Sequence, residues 1–225
     1  MRSRRLILLR HGQTEYNATR RMQGQLDTAL SATGVEQARA AAKTMRGQRV
    51  IKIVASDLER ARRTAEIIAA ELGLDVSVDE RLRETHLGQW QGLTHDEVDA
   101  QNAGIRAHWR HNAGWAPPAG ESRLDVARRA RPVVDELMQD FAQWDGNAVL
   151  LVAHGGTISA LTSNLLGLEE RQYPLLKGLG NTNTARLHAL PRYRGGGAGA
   201  GAGDASAGAG VQWYLEAWNQ GLSES

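Results

Sequence analysis

The chain has 225 residues, 41% of them hydrophobic, no cysteine, and 27 Lys and Arg against 25 Asp and Glu, a net charge of +2. That length and apolar content can build one full core. The missing cysteine excludes a disulfide framework, a thiolate metal site and a cysteine nucleophile; the small charge gives no reason for a nucleic-acid partner; and no apolar run reaches the ~20 residues of a membrane span.

Residues 6–9, Leu-Ile-Leu-Leu, run straight into Arg10-His11-Gly12-Gln13-Thr14, a buried strand that ends in a tight turn. The arginines ahead of it imitate the start of a signal peptide, but the apolar run behind them falls short of the ~7–15 residues needed, so a soluble cytoplasmic protein is expected. A helix is predicted from Ser31 to Met45, then a strand at 51–55. Ser56 or Asp57 is read as the N-cap of a helix that runs to Leu72 and is closed by Gly73. Val76 and Val78 suggest a short third strand. Pro117, Pro118 and Gly120 break the chain, and residues 121–144 read as helical, kinked or divided by Pro132.

A second apolar run, residues 149–152, enters Ala153-His154-Gly155-Gly156-Thr157. A helix around 158–166 and two late strands near 184–190 and 211–218 follow. Between these strands, residues 195–210 are almost all Gly and Ala and are expected to form a flexible surface loop. The alternation predicts an α/β fold in three layers, α/β/α, with a mostly parallel central sheet. It is expected as a single domain over 1–225, with a lid-like insertion at about 87–123. Trp213 and Trp218, on the last strand, read as core or sheet-face residues.

In an open α/β sheet, ligands bind at the carboxyl ends of the strands, where both His-Gly turns fall. A neutral imidazole can attack phosphorus, and the resulting phosphohistidine is then hydrolysed, which splits one hard displacement into two easier ones. Arg10 and a second guanidinium, best supplied by Arg60, would bind phosphoryl oxygens and disfavour the imidazolium form of His11. The helix start at residues 56–59 also points backbone donors toward an anion.

Four segments carry a resemblance to a known family: Leu9 through Asn17; Ser56-Asp57-Leu58-Glu59-Arg60-Ala61-Arg62-Arg63-Thr64-Ala65; Leu82-Arg83-Glu84-Thr85-His86-Leu87-Gly88-Gln89-Trp90-Gln91-Gly92; and Val152-Ala153-His154-Gly155-Gly156. In order and spacing they resemble the histidine phosphatases, the phosphoglycerate-mutase-like superfamily. The resemblance implies that His11 is the phosphorylated nucleophile and that Arg10, Arg60 and His154 complete a phosphate pocket. Asn17, Gln23 and Gly155 join them in holding the phosphate, and Glu84 is the general acid. It implies no metal and no cofactor, a small phosphorylated molecule as substrate, and a homodimer.

A general acid must hold a proton when the leaving oxygen departs, and two neighbouring guanidinium groups oppose this. A dianionic phosphate offsets their charge, so proton uptake by Glu84 is expected to be linked to substrate binding. Cofactor-dependent mutases of the family carry Glu-Arg-His-Tyr-Gly where this chain has Glu84-Thr85-His86-Leu87-Gly88, which favours hydrolysis. Stretches 20–28, 82–94, and 115–117 with 120–123 look like the members that act on glucosyl-3-phosphoglycerate to give glucosylglycerate, a step toward methylglucose lipopolysaccharide. Mannosyl-3-phosphoglycerate, phosphoglycerate or another sugar phosphate are the alternatives, with mutase transfer or phosphoester binding without turnover behind them. Arg21, His86 and Arg123 are candidate partners for a glycerate carboxylate. Trp90, Trp109 and Trp115 could stack on a sugar, though each reads more readily as core or rim.

Overall fold

Leu6 and Leu8 of the first strand, β1 (Arg4–Arg10), pack into one apolar cluster, and Ile7 and Leu9 into another on the opposite face of the sheet. This strict two-residue alternation between two dry faces is what a central strand covered on both sides requires. The computed structural model describes residues 3–192 and 210–221, so the expected loop at 195–210 lies outside the described residues except for Gly210.

After β1 come α1 (Glu15–Ala18), α2 (Ala32–Met45), β2 (Val50–Ala55), α3 (Glu59–Leu72) and β3 (Val76–Val78). Next are α4 (His95–Gln101), α5 (Ile105–His111), α6 (Arg123–Asp140), β4 (Ala148–Ala153), α7 (Gly155–Leu165), β5 (Thr184–Pro191) and β6 (Val211–Gln220). The sheet order is β3-β2-β4-β1-β5-β6. The first four strands are parallel, and β5 and β6 form an antiparallel pair along one edge. Ala41, Met45, Ala61, Ala65 and Ile68 of α2 and α3 cover one face; Val133, Val134, Leu137, Ile158 and Leu161 of α6 and α7 cover the other. The three-layer, mostly parallel α/β arrangement is the one the alternation predicts.

Several boundaries differ from the sequence reading. The N-cap of α3 is Leu58, which caps with no side chain. Its first amide, that of Glu59, is instead taken by the Asp27 carboxylate at 2.7 Å, from a loop 32 residues away. Helix α6 starts later than expected, after the capping box of Ser122 and Asp125, and ends at Asp140; Pro132 lies inside it without dividing it. Ala142–Trp144 is a separate 3-10 turn. Helix α7 begins directly after His154. The segment 87–123 carries two short helices, α4 and α5, over a small core of Met22, Leu87, Trp90 and Val98.

Trp213 is buried in the main core and Trp218 packs against it, as expected of sheet-face residues. Among the described residues, no helix is long and apolar enough to cross a membrane.

Candidate active site

Parallel register between β1 and β4 pairs Arg10 with Ala153, so the next residue on each strand is a histidine at the same edge. The His11 amide donates to the Ala153 carbonyl at 3.0 Å. The two imidazole centroids lie 5.1 Å apart. The chain can turn sharply after His11 because Gly12 lies against the start of α2: a Cβ there would sit 2.4 Å from the Gly34 carbonyl oxygen.

His11 is buried. Its Nδ1–H donates to the Gly12 carbonyl at 2.7 Å. That bond fixes the tautomer and leaves the Nε2 lone pair outward, where it accepts the Arg60 Nε–H at 3.3 Å. Burial pushes the His11 pKa well below its ordinary 6.5, and the charges of Arg60 and Arg10 push it further. His154 is fully buried, with Nε2 2.9 Å from Ser56 Oγ and Nδ1 lacking a hydrogen-bond partner. Burial, then the charge of Arg60, drives its pKa well below 6.5 too.

The two guanidinium groups are oriented by neutral carbonyls. Arg60, on the first turn of α3 and 1% exposed, donates to Leu26 O at 2.8 Å and Gly24 O at 2.7 Å. Burial lowers its pKa to about 10, against the opposing pull of Glu84 and Asp27. Arg10 donates through Nη1 to the Leu179 carbonyl, while its buried Nε has no partner. Its pKa is lowered by burial and raised by Glu84.

Glu84 brings its carboxylate to the N-terminus of α7. Oε2 accepts the Gly156 amide at 3.0 Å; Oε1 accepts the Thr157 amide at 3.1 Å and the Thr85 amide at 2.7 Å. The opening of α7 therefore holds the Glu84 carboxylate, a use of helix-end donors that the sequence reading assigned to α3 instead. Gly155, the first residue of α7, lies against Arg10, whose Nε would be 3.7 Å from a Cβ there.

Asn17 sits in α1 with Oδ1 accepting the Thr14 amide at 3.1 Å and Asn181 Nδ2 at 3.2 Å, so its own NH2 is the group left to donate. Gln23 accepts the Thr28 hydroxyl at 2.6 Å through Oε1 and likewise keeps its NH2. Asn181 also donates to the His11 carbonyl at 3.0 Å, and the Thr182 amide donates to the Arg10 carbonyl at 3.0 Å. The 179–183 loop thus supports both Arg10 and His11. It was missed because a tertiary bond to a backbone carbonyl leaves no mark in sequence spacing. Ser56 and Asp27 were read as a helix cap and as part of a resemblance, and the contacts they make came into view only in the fold.

Of the three cations considered for a glycerate carboxylate, Arg21 donates to Gly92 O at 2.9 Å, and His86 Nδ1 accepts the Gly88 amide at 3.1 Å. Arg123 lies over the Trp109 ring at 5.4 Å, donates to Arg110 O at 2.9 Å, and is close enough to Glu84 for its pKa, lowered by burial, to be raised by that carboxylate. Trp90 is buried, 5.9 Å from Trp109 and 5.5 Å from Trp115 between ring centroids, so the three indoles pack first on one another. Among the described residues, no cluster of three or more His, Asp or Glu is arranged to hold a metal ion.

Comparison with known proteins agrees with this geometry. Residues 6–196 match the model of the histidine phosphatase superfamily, branch 1. A glucosyl-3-phosphoglycerate phosphatase of Mycolicibacterium vanbaalenii is 51% identical over 223 residues, 97% of this chain and 96% of that protein. One from Mycobacterium tuberculosis is 48% identical over 232 residues, covering all of this chain and 98% of that one. The structure of a mycobacterial glucosyl-3-phosphoglycerate phosphatase complexed with VO3 superimposes with a TM-score of 0.86 at 47% identity, covering 96% of this chain and 98% of that one. A family model that spans most of the chain, and full-length relatives at this identity, place it without ambiguity: the chain belongs to the histidine phosphatase superfamily, branch 1.

Proposed function

We propose that this protein hydrolyses glucosyl-3-phosphoglycerate to glucosylglycerate and phosphate through a phosphohistidine formed on Nε2 of His11. The observation that carries the proposal is the committed tautomer of a buried, uncharged imidazole: Nδ1–H is tied to Gly12 O, and the Nε2 lone pair faces the guanidinium of Arg60, from whose Nε–H it accepts. A histidine held this way is a nucleophile at neutral pH and does not need a base to activate it.

In the first step the Nε2 lone pair forms an N–P bond as the P–O bond to the glycerate oxygen breaks, and Glu84 delivers its proton to that oxygen. Arg10, Arg60 and His154, with the amides of Asn17 and Gln23, hold the remaining phosphoryl oxygens and the charge spread over them. Ser56 Oγ accepts the Leu58 amide at 3.3 Å and pairs with His154 Nε2 at 2.9 Å, while His154 Nδ1 is a buried ring nitrogen left without a partner. In the second step, Glu84, now a carboxylate, takes a proton from water. The water oxygen attacks phosphorus, the N–P bond breaks and phosphate leaves.

The whole chain is read as one domain with the 87–123 segment over the site. The small net charge and the absence of cysteine support a metabolite-directed enzyme of the cytoplasm, with no nucleic-acid or membrane partner, and the family resemblance supports a homodimer. The full-length relatives named for glucosyl-3-phosphoglycerate support that substrate over the mannosyl analogue, phosphoglycerate or other sugar phosphates. Thr85, where the family's mutases carry Arg, supports hydrolysis over transfer. The test is kcat/KM across these four substrate types together with a rapid acid quench. The glucosyl substrate should lead and acid-labile phosphate should appear on His11. Turnover with His11→Ala, or interconversion of phosphoglycerates as the main reaction, overturns the proposal.

A further inference from the structure

The backbone that carries Glu84 is gripped from α6 by one side chain. All five N–H groups of the Arg129 guanidinium are engaged. Nη1 donates to the carbonyls of Arg81 and Arg83, each at 2.8 Å, and Nη2 donates to the carbonyl of Glu84 at 2.9 Å. The other edge of the fork meets Glu121, with Nε to Oε1 at 2.8 Å and Nη2 to Oε2 at 2.9 Å. Glu121 Oε2 in turn accepts the His86 amide at 2.8 Å, and Gln25 Nε2 adds a second bond to the Glu84 carbonyl at 3.0 Å. Three carbonyls and one amide within residues 81–86 are therefore fixed to a single Arg–Glu pair, while the Glu84 carboxylate is fixed separately to the start of α7.

We infer that Arg129, locked by Glu121, is a positioning residue for Glu84 and sets the distance over which the proton passes to the leaving oxygen. Two features favour this over a purely structural clamp. The bonded carbonyls belong to the residue proposed as the acid and to two of the three residues before it, and the charge of Arg129 reaches the site itself, where it acts on His154. Lysine keeps that charge but offers three donors from one atom in place of a planar five-donor fork. Arg129→Lys therefore perturbs position while preserving electrostatics.

This inference rests on the proposed role of Glu84, and the test separates the two. Glu84→Gln, Arg129→Lys, their double variant and Glu121→Gln are assayed on glucosyl-3-phosphoglycerate, whose leaving group is a poor alkoxide, and on p-nitrophenyl phosphate, whose leaving group needs little protonation. Thermal melts report folding, and Glu121→Gln serves should Arg129→Lys fail to fold. Arg129→Lys should lower kcat on the alkyl substrate about 10- to 100-fold and change the aryl rate and both KM values by less than about threefold. The double variant should be no slower than Glu84→Gln on the alkyl substrate, because the clamp acts only through the acid. Equal losses on both substrates, or a double variant slower than Glu84→Gln, make Arg129 merely structural and overturn the inference while leaving Glu84 in place. A Glu84→Gln variant with equal losses on both substrates overturns the acid role and this inference with it.

Discussion

Gly156 faces Glu84 so closely that the smallest side chain tests whether the proposed acid must sit where it does. A Cβ at position 156 would lie 2.5 Å from Glu84 Oε1 and 2.8 Å from Thr85 Oγ1, whereas ordinary contact starts at 3.4 Å. The carboxylate must retreat by about 0.9 Å, the difference of those two distances. Both obstructing atoms are side-chain termini, and Glu84 is the longer and more flexible of the two, so the larger shift falls on Glu84 rather than on the backbone. Alanine at the second position of α7 also raises helix propensity by up to ~1 kcal/mol, so Gly156→Ala should melt at or near the wild-type temperature. A misplacement of this size costs about 100-fold in a step that depends on the group, or about 2.7 kcal/mol of barrier. Steady-state kcat on glucosyl-3-phosphoglycerate should fall by that factor, with p-nitrophenyl phosphate nearly unaffected. A folded Gly156→Ala enzyme with wild-type kcat on the alkyl substrate would show that the seat of Glu84 at the α7 terminus plays no part in proton transfer.

Arg60→Lys removes the Nε–H that meets His11 and one of the two carbonyl tethers to Gly24 and Leu26, and should reduce kcat/KM about 100- to 1,000-fold, measured on either phosphate ester. His11 and His154 both have folded-state pKa values depressed below the unfolded value of ~6.5, so below that pH the unfolded chain binds protons that the folded one refuses. Stability should hold above pH ~6.5 and fall below it by up to ~1.4 kcal/mol per pH unit for each histidine; chemical denaturation from pH 7.5 to 5 should give a shallower slope for His154→Gln than for wild type. Inorganic phosphate at 100 times its Kd should stabilise the fold by about 2.7 kcal/mol in the same assay, and this gain should vanish with Arg60→Gln. Turnover should be unchanged in excess EDTA, and loss of activity that added Mg²⁺ or Zn²⁺ restores would refute a metal-independent route.

What was legible in the sequence was local and periodic. The apolar runs before each His-Gly turn gave strands β1 and β4, and the Gly after Leu72 gave the end of α3, where it adopts the left-handed conformation that glycine favours. Helix α4 was also visible in principle, because Thr94-His95-Asp96-Glu97 is a capping box, and the structure forms both of its bonds. What stayed hidden was the tertiary use of backbone groups. Nothing near Leu58 announces that Asp27 will cap α3, because the two are joined only when the fold brings the 23–28 loop under Arg60. Nothing in the 179–183 segment announces a support for His11, since Asn181 acts on a main-chain carbonyl. The resemblance supplied residue types for the pocket, but the partners that hold them could be read only from coordinates.

Those partners follow one electrostatic rule. Several partly exposed arginines of this chain meet carboxylates: Arg81 binds Asp79 and Glu136, and Arg83 binds Asp57. Arg10 and Arg60 form no ion pair among the described residues and are aimed by neutral carbonyls of Leu179, Leu26 and Gly24. A carboxylate in direct contact would orient a guanidinium equally well but would cancel the charge that a phosphate needs. Carbonyl tethers fix direction and leave the charge free, at the cost of two incompletely neutralised buried cations. Burial first, and then the same free charge, pushes the pKa of both imidazoles well below 6.5, so the arrangement that would bind an anion also favours a neutral His11. Glu84 completes the rule: its carboxylate bonds to backbone amides of α7 and to Thr85, and it reaches Arg10 and Arg60 only through the field. It can therefore exchange a proton with a leaving oxygen without breaking an ion pair first, which is the property the proposed chemistry asks of it.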